Sequence, residues 1–485
     1  MRTLVIDVGT TGLRAAVIGD DGSLSDLHHE ACPPDSPAGG LVEFDAEVMR
    51  DTVLAVAQRA IASGPVDAVG IAAQRASTVA WRASTGRPLG PALGWQDLRT
   101  IGDCIGSRER WGTALAPNQS ATKAAWLLST HAPDGAARAD PDIRIGTVDS
   151  WIAWCLTGGS AHVTDHTNAA VTGLMLPDAS GWNADLVAAL GLHLHQLPRI
   201  VDSAGWIGDA VALPGSPPVT ALVGDQQSSL VGQGCITAGR TKITFGTGGM
   251  LDTFTDTTPT SASRSTHGTF PIVAWSRHGT VHWGIEAIML AAGANVEWLV
   301  HDMGLVPTPH DTAEIAASVA DSGGLVWVPA LAGLGTPHWD HGARGTLLGA
   351  TRGTTRAHLV RAVLEGVAHR GVDLVDAAEA DAGLSIPELR IDGGMSRNRV
   401  FVDALAAAAG RPVRVSSVTE ATVRGAGFLA GCEVGQWPDL VDTAELAADG
   451  RVVEPAGEPG VSRERWSEAV VRARGWIPEL SALDF

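Results

Sequence analysis

Short apolar runs broken by glycine and aspartate set the rhythm at the start of the chain. TLVID (residues 3–7), LRAAVI (13–18) and GSLSDL (22–27) are too short for helices and are bounded by the turn-formers VGTTG and GDDG. They predict three strands in an antiparallel meander. From about 45 to 63 the pattern turns helical, with Asp45 as N-cap and Gly64 as the stop, and VDAVGIAA (66–73) returns to a buried strand. Strands and helices alternate thereafter, an α/β pattern. One apolar run ends oddly: LVGDQQ (222–227) sets an acid and two amides between a core strand and a small-residue segment that looks helical. Asp225 there is either a helix N-cap or an acid placed for chemistry.

The opening pattern recurs. TKITFGTGGMLDTF (241–254) repeats the strand, Gly-Thr-Gly turn and returning strand, and ELRIDGGMSRNRVFVDALAAAAGRPV (388–413) adds a strand, a double-glycine turn and an Ala-rich helix. Two α/β halves that each begin with a Gly/Thr hairpin predict duplicated domains facing one another across a cleft. The expected domains are 1–232 and 233–485, with the boundary near 232–237.

Composition narrows the class. A formal net charge of -19 over 485 residues disfavours a nucleic-acid partner, which needs clustered Lys and Arg. Five scattered cysteines favour reduced thiols over a disulfide framework or zinc site. The N-terminus reads as strand and turn without a leader, and no window reaches the apolar length of a membrane span. A soluble, cytoplasmic protein with no membrane partner is expected, and a homodimer is compatible with it.

The turns carry the candidate chemistry. Gly9, Thr10, Thr11 and Gly12 place backbone N–H groups and hydroxyls where an anion can be met, and Gly246, Thr247, Gly248 and Gly249 repeat the set. Either turn alone reads as a tight hairpin; two matched turns fit a nucleotide phosphate chain held between domains. The spacing is neither a P-loop nor a dinucleotide fingerprint. Asp7, directly before the first turn, either caps it or orients Mg²⁺ beside phosphate. Arg75 follows one strand and Trp95, Gln96 and Asp97 another, a combination suited to gripping a polyhydroxylated molecule. Only two lysines occur, and Lys123 reads as part of a solvated helix face. The paired histidines lack partners at metal spacing.

Six segments carry a family resemblance: DVGTTGLRAAVI, QRASTVAWRASTGRPLGPALGWQDLRT, GDQQSSLVGQG, FGTGG, LAGLGTPHWDHGARGTLLGATRGTTRAHLVRAVLEGVAHR and IDGGMSRNRVF. In this order, from residue 4 to about 435, they resemble the FGGY carbohydrate kinases, most closely the glycerol-phosphorylating branch. The resemblance implies two ribonuclease H-like (actin-like ATPase) domains that close on ATP, Mg²⁺ and a small polyol or sugar. It implies that Thr10, Thr11, Gly12 and Arg14 meet phosphates from the first domain and Thr247 from the second. It places Gly293, Glu297, Gly394 and Asn398 at the nucleotide, although Glu297 stands where Gln is common. Asp225 matches the acid that takes the substrate proton, and Arg75, Trp95, Asp225 and Gln226 match the polyol pocket.

Three positions depart from that pattern: Ala76 replaces an acid, Asn118 a tyrosine and Met250 a phenylalanine. The phosphate machinery is intact while the substrate wall has changed, so kinase activity is better supported than glycerol as the acceptor. Two other readings are an actin-like ATPase that switches partner binding and a sugar-binding remnant without catalysis. The first predicts an appended partner-binding region and the second an eroded base or turn.

Overall fold

A computed structural model describes residues 1–259, 264–417 and 420–482. In it thirteen strands form one continuous sheet. The first half supplies β1 (Arg2–Val8), β2 (Gly12–Gly19), β3 (Leu24–Ala31), β4 (Ala68–Ala73), β5 (Ala204–Asp209) and β6 (Pro218–Gly224). The second supplies β7 (Thr241–Phe245), β8 (Gly249–Phe254), β9 (Phe270–Arg277), β10 (Thr280–Met289), β11 (Leu389–Asp392), β12 (Val413–Val415) and β13 (Arg451–Val453). Their order is β13-β12-β11-β7-β8-β10-β9-β5-β6-β4-β1-β2-β3.

The duplication is visible in the pairing. The series β3-β2-β1-β4-β6 runs antiparallel, antiparallel, parallel, parallel, and β10-β8-β7-β11-β12 runs the same way. Both halves are therefore ribonuclease H-like, and among the described residues their sheets are joined where Ala204 of β5 pairs with Arg277 of β9.

Six helices matter for the site: α1 (Ala46–Ala60), α2 (Ala121–His131), α3 (Asp225–Gly232), α4 (Arg356–Ala382), α5 (Arg399–Ala409) and α6 (Ala421–Glu433). Asp45 caps α1 as the sequence predicts, its carboxylate accepting from the Glu47 and Val48 N–H groups, although the helix ends at Ala60, three residues short of the expected end at 63. Period-two alternation in β1 sends Leu4, Ile6 and Val8 into a core shared with Met49, Val53 and Val56 of α1. Val5 points the other way, into a core completed by Val423, Ala426, Phe428 and Leu429 of α6. A helix from the far end of the chain thus covers one face of the first-half sheet. Burial of Val423, Phe428 and Leu429 alone stabilises that contact by roughly 5 kcal/mol or more. The α3–α6 crossing is close because Gly232 and Gly425 face backbone: a Cβ at Gly425 would collide with the Ser228 carbonyl, and one at Gly232 with that of Ala421. All five cysteines are free thiols, and no helix among the described residues is long and apolar enough to cross a membrane.

Candidate active site

Strand register assembles the site. Val8 of β1 lies beside Ala73 of β4, and Ala73 beside Gly224 of β6. The residues that follow, Gly9 and Thr10, Gln74 and Arg75, and Asp225, therefore leave one edge of the sheet side by side. In the second half Thr244 pairs with Asp392, which sets the Gly246 turn beside Gly393. Gly393 has a φ of 85°, and a Cβ there would meet the Phe245 backbone, so the first glycine of the pair is required by close approach. Gly394 has nothing within 4 Å of its Cβ direction and faces open space.

The first turn is braced from behind. Gln74 Nε2 donates to Gly9 O (3.3 Å), and Trp95 Nε1 donates to Thr10 Oγ1 (3.1 Å). Trp95 is in turn fixed by its backbone: its N–H donates to Ser77 Oγ (3.0 Å), and its carbonyl accepts from Lys123 Nζ at 2.8 Å. Lys123 is thus not on a solvated face as the sequence suggests. It is fully buried in α2, and burial draws its ammonium down to about 8. Asp97 also departs from expectation: it is spent on Arg99 and the Val42 N–H, so of the Trp95–Asp97 stretch only Trp95 touches the turn.

Asp225 is the first residue of α3, and the N-cap position belongs to Gly224. Its Oδ1 accepts the Gln226 N–H (2.8 Å) and lies 3.8 Å from Arg75 Nε, and its side chain keeps 27% exposure. It is not the N-cap residue of the alternative reading, although its Oδ1 does take one first-turn amide, that of Gln226 at N2. Burial raises its pKa against the pull of Arg75. Asp7 is more deeply enclosed. Burial pushes its carboxyl up to about 7 despite Arg14 Nη1 at 3.2 Å, with Asp225 and Glu420 adding to the rise. Arg14 also holds Glu420 at 3.1 Å. Asp7 and Glu420 thus share one guanidinium, with the Asp225 carboxylate near enough to Asp7 to add to the negative charge beside the turn.

Arg75 donates to Glu286 Oε2 of β10 at 2.7 Å, while its Nη1 is buried without a partner. Gln226 Oε1 accepts from Lys242 Nζ of β7 at 2.6 Å. Glu286 and Lys242 were not legible as site residues, because burial and pairing across the halves leave no local pattern. Ala76 is buried with a φ of 63°, an unfavourable backbone for a residue with a Cβ, and its carbonyl accepts from Ser120 Oγ. Asn118 is exposed in the turn before α2, and Met250 is half-buried in β8 between Thr244 and Ile288.

A cavity of about 320 Å³ in the second half brings together Thr247, Gly293, Glu297, Gly394 and Asn398. The sequence missed Thr312 and Leu364, which also line it. Asn398 caps α5 through Oδ1 and donates from Nδ2 to Thr312 Oγ1 (2.9 Å), so its orientation is fixed. Glu297 pairs with His301 at 2.9 Å and is more than half exposed. The Thr247 carbonyl accepts from the Ala292 and Ala294 N–H groups, which ties the second turn to the segment carrying Gly293. Thr10, Thr11, Gly12 and Arg14 lie on the opposite half, at the first turn.

Paired ribonuclease H-like domains with matched Gly/Thr turns and an acid at a strand end point to a sugar-kinase class of phosphotransferase. Family models agree: residues 2–232 match the N-terminal domain and 241–433 the C-terminal domain of the FGGY family of carbohydrate kinases. The chain belongs to that family. It is 40% identical over 498 residues to the glycerol kinase of Dechloromonas aromatica (strain RCB), covering 98% of this chain and 97% of that one. It is 37% identical over 490 residues to the glycerol kinase of Gloeobacter violaceus, covering 98% and 97%. Among solved structures it superposes on Plasmodium falciparum glycerol kinase with ADP at a TM-score of 0.88 and 25% identity, covering 100% and 99%. It matches gluconate kinase from Lactobacillus acidophilus at 0.85 and 20%, covering 99% and 98%, a likeness of fold alone. The protein is an ATP-dependent kinase acting on a hydroxyl of a small polyol or sugar.

Proposed function

We propose that the acceptor is a small polyol or ketose bound by Arg75, Trp95 and Gln226, and that Asp225 is the base that takes its proton. The observation that carries this is Asp225 itself. It leads a helix whose N-cap is Gly224, stays reachable by a ligand, and spends Oδ1 on one first-turn N–H and a distant guanidinium, which leaves Oδ2 for a hydroxyl. As the acceptor oxygen bonds to the transferred phosphorus and ADP departs, its proton passes to Oδ2. Residues 1–232 would hold the acceptor and the first phosphate turn, and 233–485 the nucleotide.

The donor set suits Mg-ATP. Thr10, Thr11, Gly12, Arg14 and Thr247 would meet phosphate oxygens, with Gly293, Glu297, Gly394 and Asn398 around the nucleoside, where a Cβ at Gly394 would stand in the cavity. Among the described residues no cluster of three or more His, Cys, Asp or Glu could hold a metal by itself. A cation would thus arrive with the phosphates and be oriented by Asp7, whose high pKa in a surplus of carboxylates fits that task. Bound there, Mg²⁺ would offset the negative charge of the phosphates.

Asp225→Asn tests the base. Nucleotide binding should persist while kcat falls by roughly 10² or more. Turnover near that of the unaltered enzyme, with an acceptor chosen from a C3 to C7 panel by ADP release, would remove Asp225 from this role.

A further inference from the structure

The floor between the halves holds charges that the reaction does not consume. Lys242 Nζ is fully buried, 2.7 Å from Asp252 Oδ2 and 3.1 Å from Thr244 Oγ1, and it donates to Gln226 Oε1 at 2.6 Å. Lys242, Asp252 and Glu286 are cross-strand neighbours on β7, β8 and β10, so all three present one face of the second sheet to Gln226 and Arg75 of the first half. An ammonium can only donate. The Gln226 amide must therefore turn its oxygen to Lys242 and its NH₂ group away. That leaves Nε2 for the pocket, beside the Nη1 of Arg75, which is buried without a hydrogen-bond partner among the described residues.

We propose that Lys242, held by Asp252, is a positioning and specificity-determining residue that locks Gln226 as a donor toward the substrate. This rests on the acceptor site proposed above. Beside the reacting hydroxyl the pocket then offers donors from Gln226 and Arg75, with Asp225 as the acceptor already engaged. The neighbouring substrate oxygen is received through its lone pairs. A keto oxygen or a hydroxyl satisfies that demand, and an ammonium at the same carbon does not. Because the lock reaches across the halves, it exists only when they are in contact.

Glycerol, dihydroxyacetone and 2-amino-1,3-propanediol differ at one carbon in this property, and each can be measured as a substrate or as a competitive inhibitor. The intact enzyme should favour the ketone over the amine by at least tenfold. Lys242→Met combined with Asp252→Leu removes the pair without changing net charge and frees the amide to flip. The ketone-to-amine ratio should then narrow roughly tenfold, with KM for ATP little changed, while Lys242→Arg should preserve the ratio. Gln226→Glu, which keeps one oxygen on Lys242 and turns an acceptor to the pocket, should move the ratio toward the amine even if the double variant does not fold. A ratio unmoved in Gln226→Glu, or in a folded double variant, overturns the proposal. Because it is a ratio, it stays readable whether or not Asp225 proves to be the base.

Discussion

Gly293→Ala tests how tightly the second Gly/Thr turn is held. The backbone at Gly293 is helical, so alanine is conformationally allowed, but its Cβ would stand 2.6 Å from the Gly246 carbonyl oxygen. An ordinary contact begins at about 3.4 Å, so Gly246 must retreat by roughly 0.8 Å. It cannot retreat freely: the Gly293 N–H donates to that same carbonyl at 2.8 Å, and the Ala292 and Ala294 N–H groups hold Thr247. Overpacking of this kind costs about 1–3 kcal/mol. Displacing the turn by a large fraction of an ångström should cost roughly ten- to a hundredfold in kcat/KM for ATP. Urea unfolding and steady-state kinetics with ATP varied at saturating acceptor would read the two effects. Gly371→Ala is the control, because its Cβ would meet only the Phe245 ring and a Leu405 methyl, at 3.1 and 3.2 Å, and these can yield. If Gly293→Ala matches the control in both stability and kcat/KM, the turn is not held as described.

Lys123→Met leaves the Trp95 carbonyl without its donor, which should cost about 1–3 kcal/mol and raise KM for the acceptor and, through Thr10, for ATP; an acceptor KM equal to that of the unaltered enzyme would contradict a role for Lys123 at Trp95. Burial, with Asp165 nearby, holds the Asp149 carboxyl up at about 6. The native state keeps that proton longer than the unfolded chain, so the stability it contributes is complete below about pH 4 and is lost as pH rises through 6, roughly 3 kcal/mol in all. Asp149→Asn should flatten that part of the urea-derived stability profile, and an unaltered slope would refute the assignment. The changed wall predicts that at least one four- to six-carbon acceptor exceeds glycerol in kcat/KM, and that Ala76→Glu, Asn118→Tyr and Met250→Phe together shift preference toward glycerol. Preference for glycerol across the panel in the unaltered enzyme would sink the inference from wall shape.

Local chemistry was readable in the sequence and distant pairing was not. The two Gly/Thr hairpins announce themselves because turn residues and flanking apolar runs lie within a dozen positions, and the Asp45 cap is legible for the same reason. Asp225 stood out because an acid at the end of a core strand conflicts with its surroundings. Lys123 was misread because composition places lysine at the surface, and only the folded chain shows the Trp95 carbonyl waiting for it. Glu286 could not be tied to Arg75, since the pairing depends on how one half lies on the other. Asp97 looked like part of a sugar grip but closes an internal ion pair with Arg99, two residues away, a bond its neighbours allow but do not dictate.

The placement of α6 has a consequence for how the enzyme is made. As the chain is synthesised, β1, β4 and β6 emerge with α1 to cover one face, while Val5, Ala16, Ile18, Ala72 and Val223 on the other wait for residues 421–433. At about 5–20 residues per second that wait lasts roughly 10 to 40 s. Throughout it the nascent first half carries an apolar sheet face that only Leu230 and Val231 of α3 begin to cover, the kind of surface that chaperones bind and that neighbouring chains aggregate through. A message cut short before Ala421 would therefore not yield a smaller sugar-binding protein. It would yield a sheet lacking its second cover, and the cell's quality control would meet it before any substrate could.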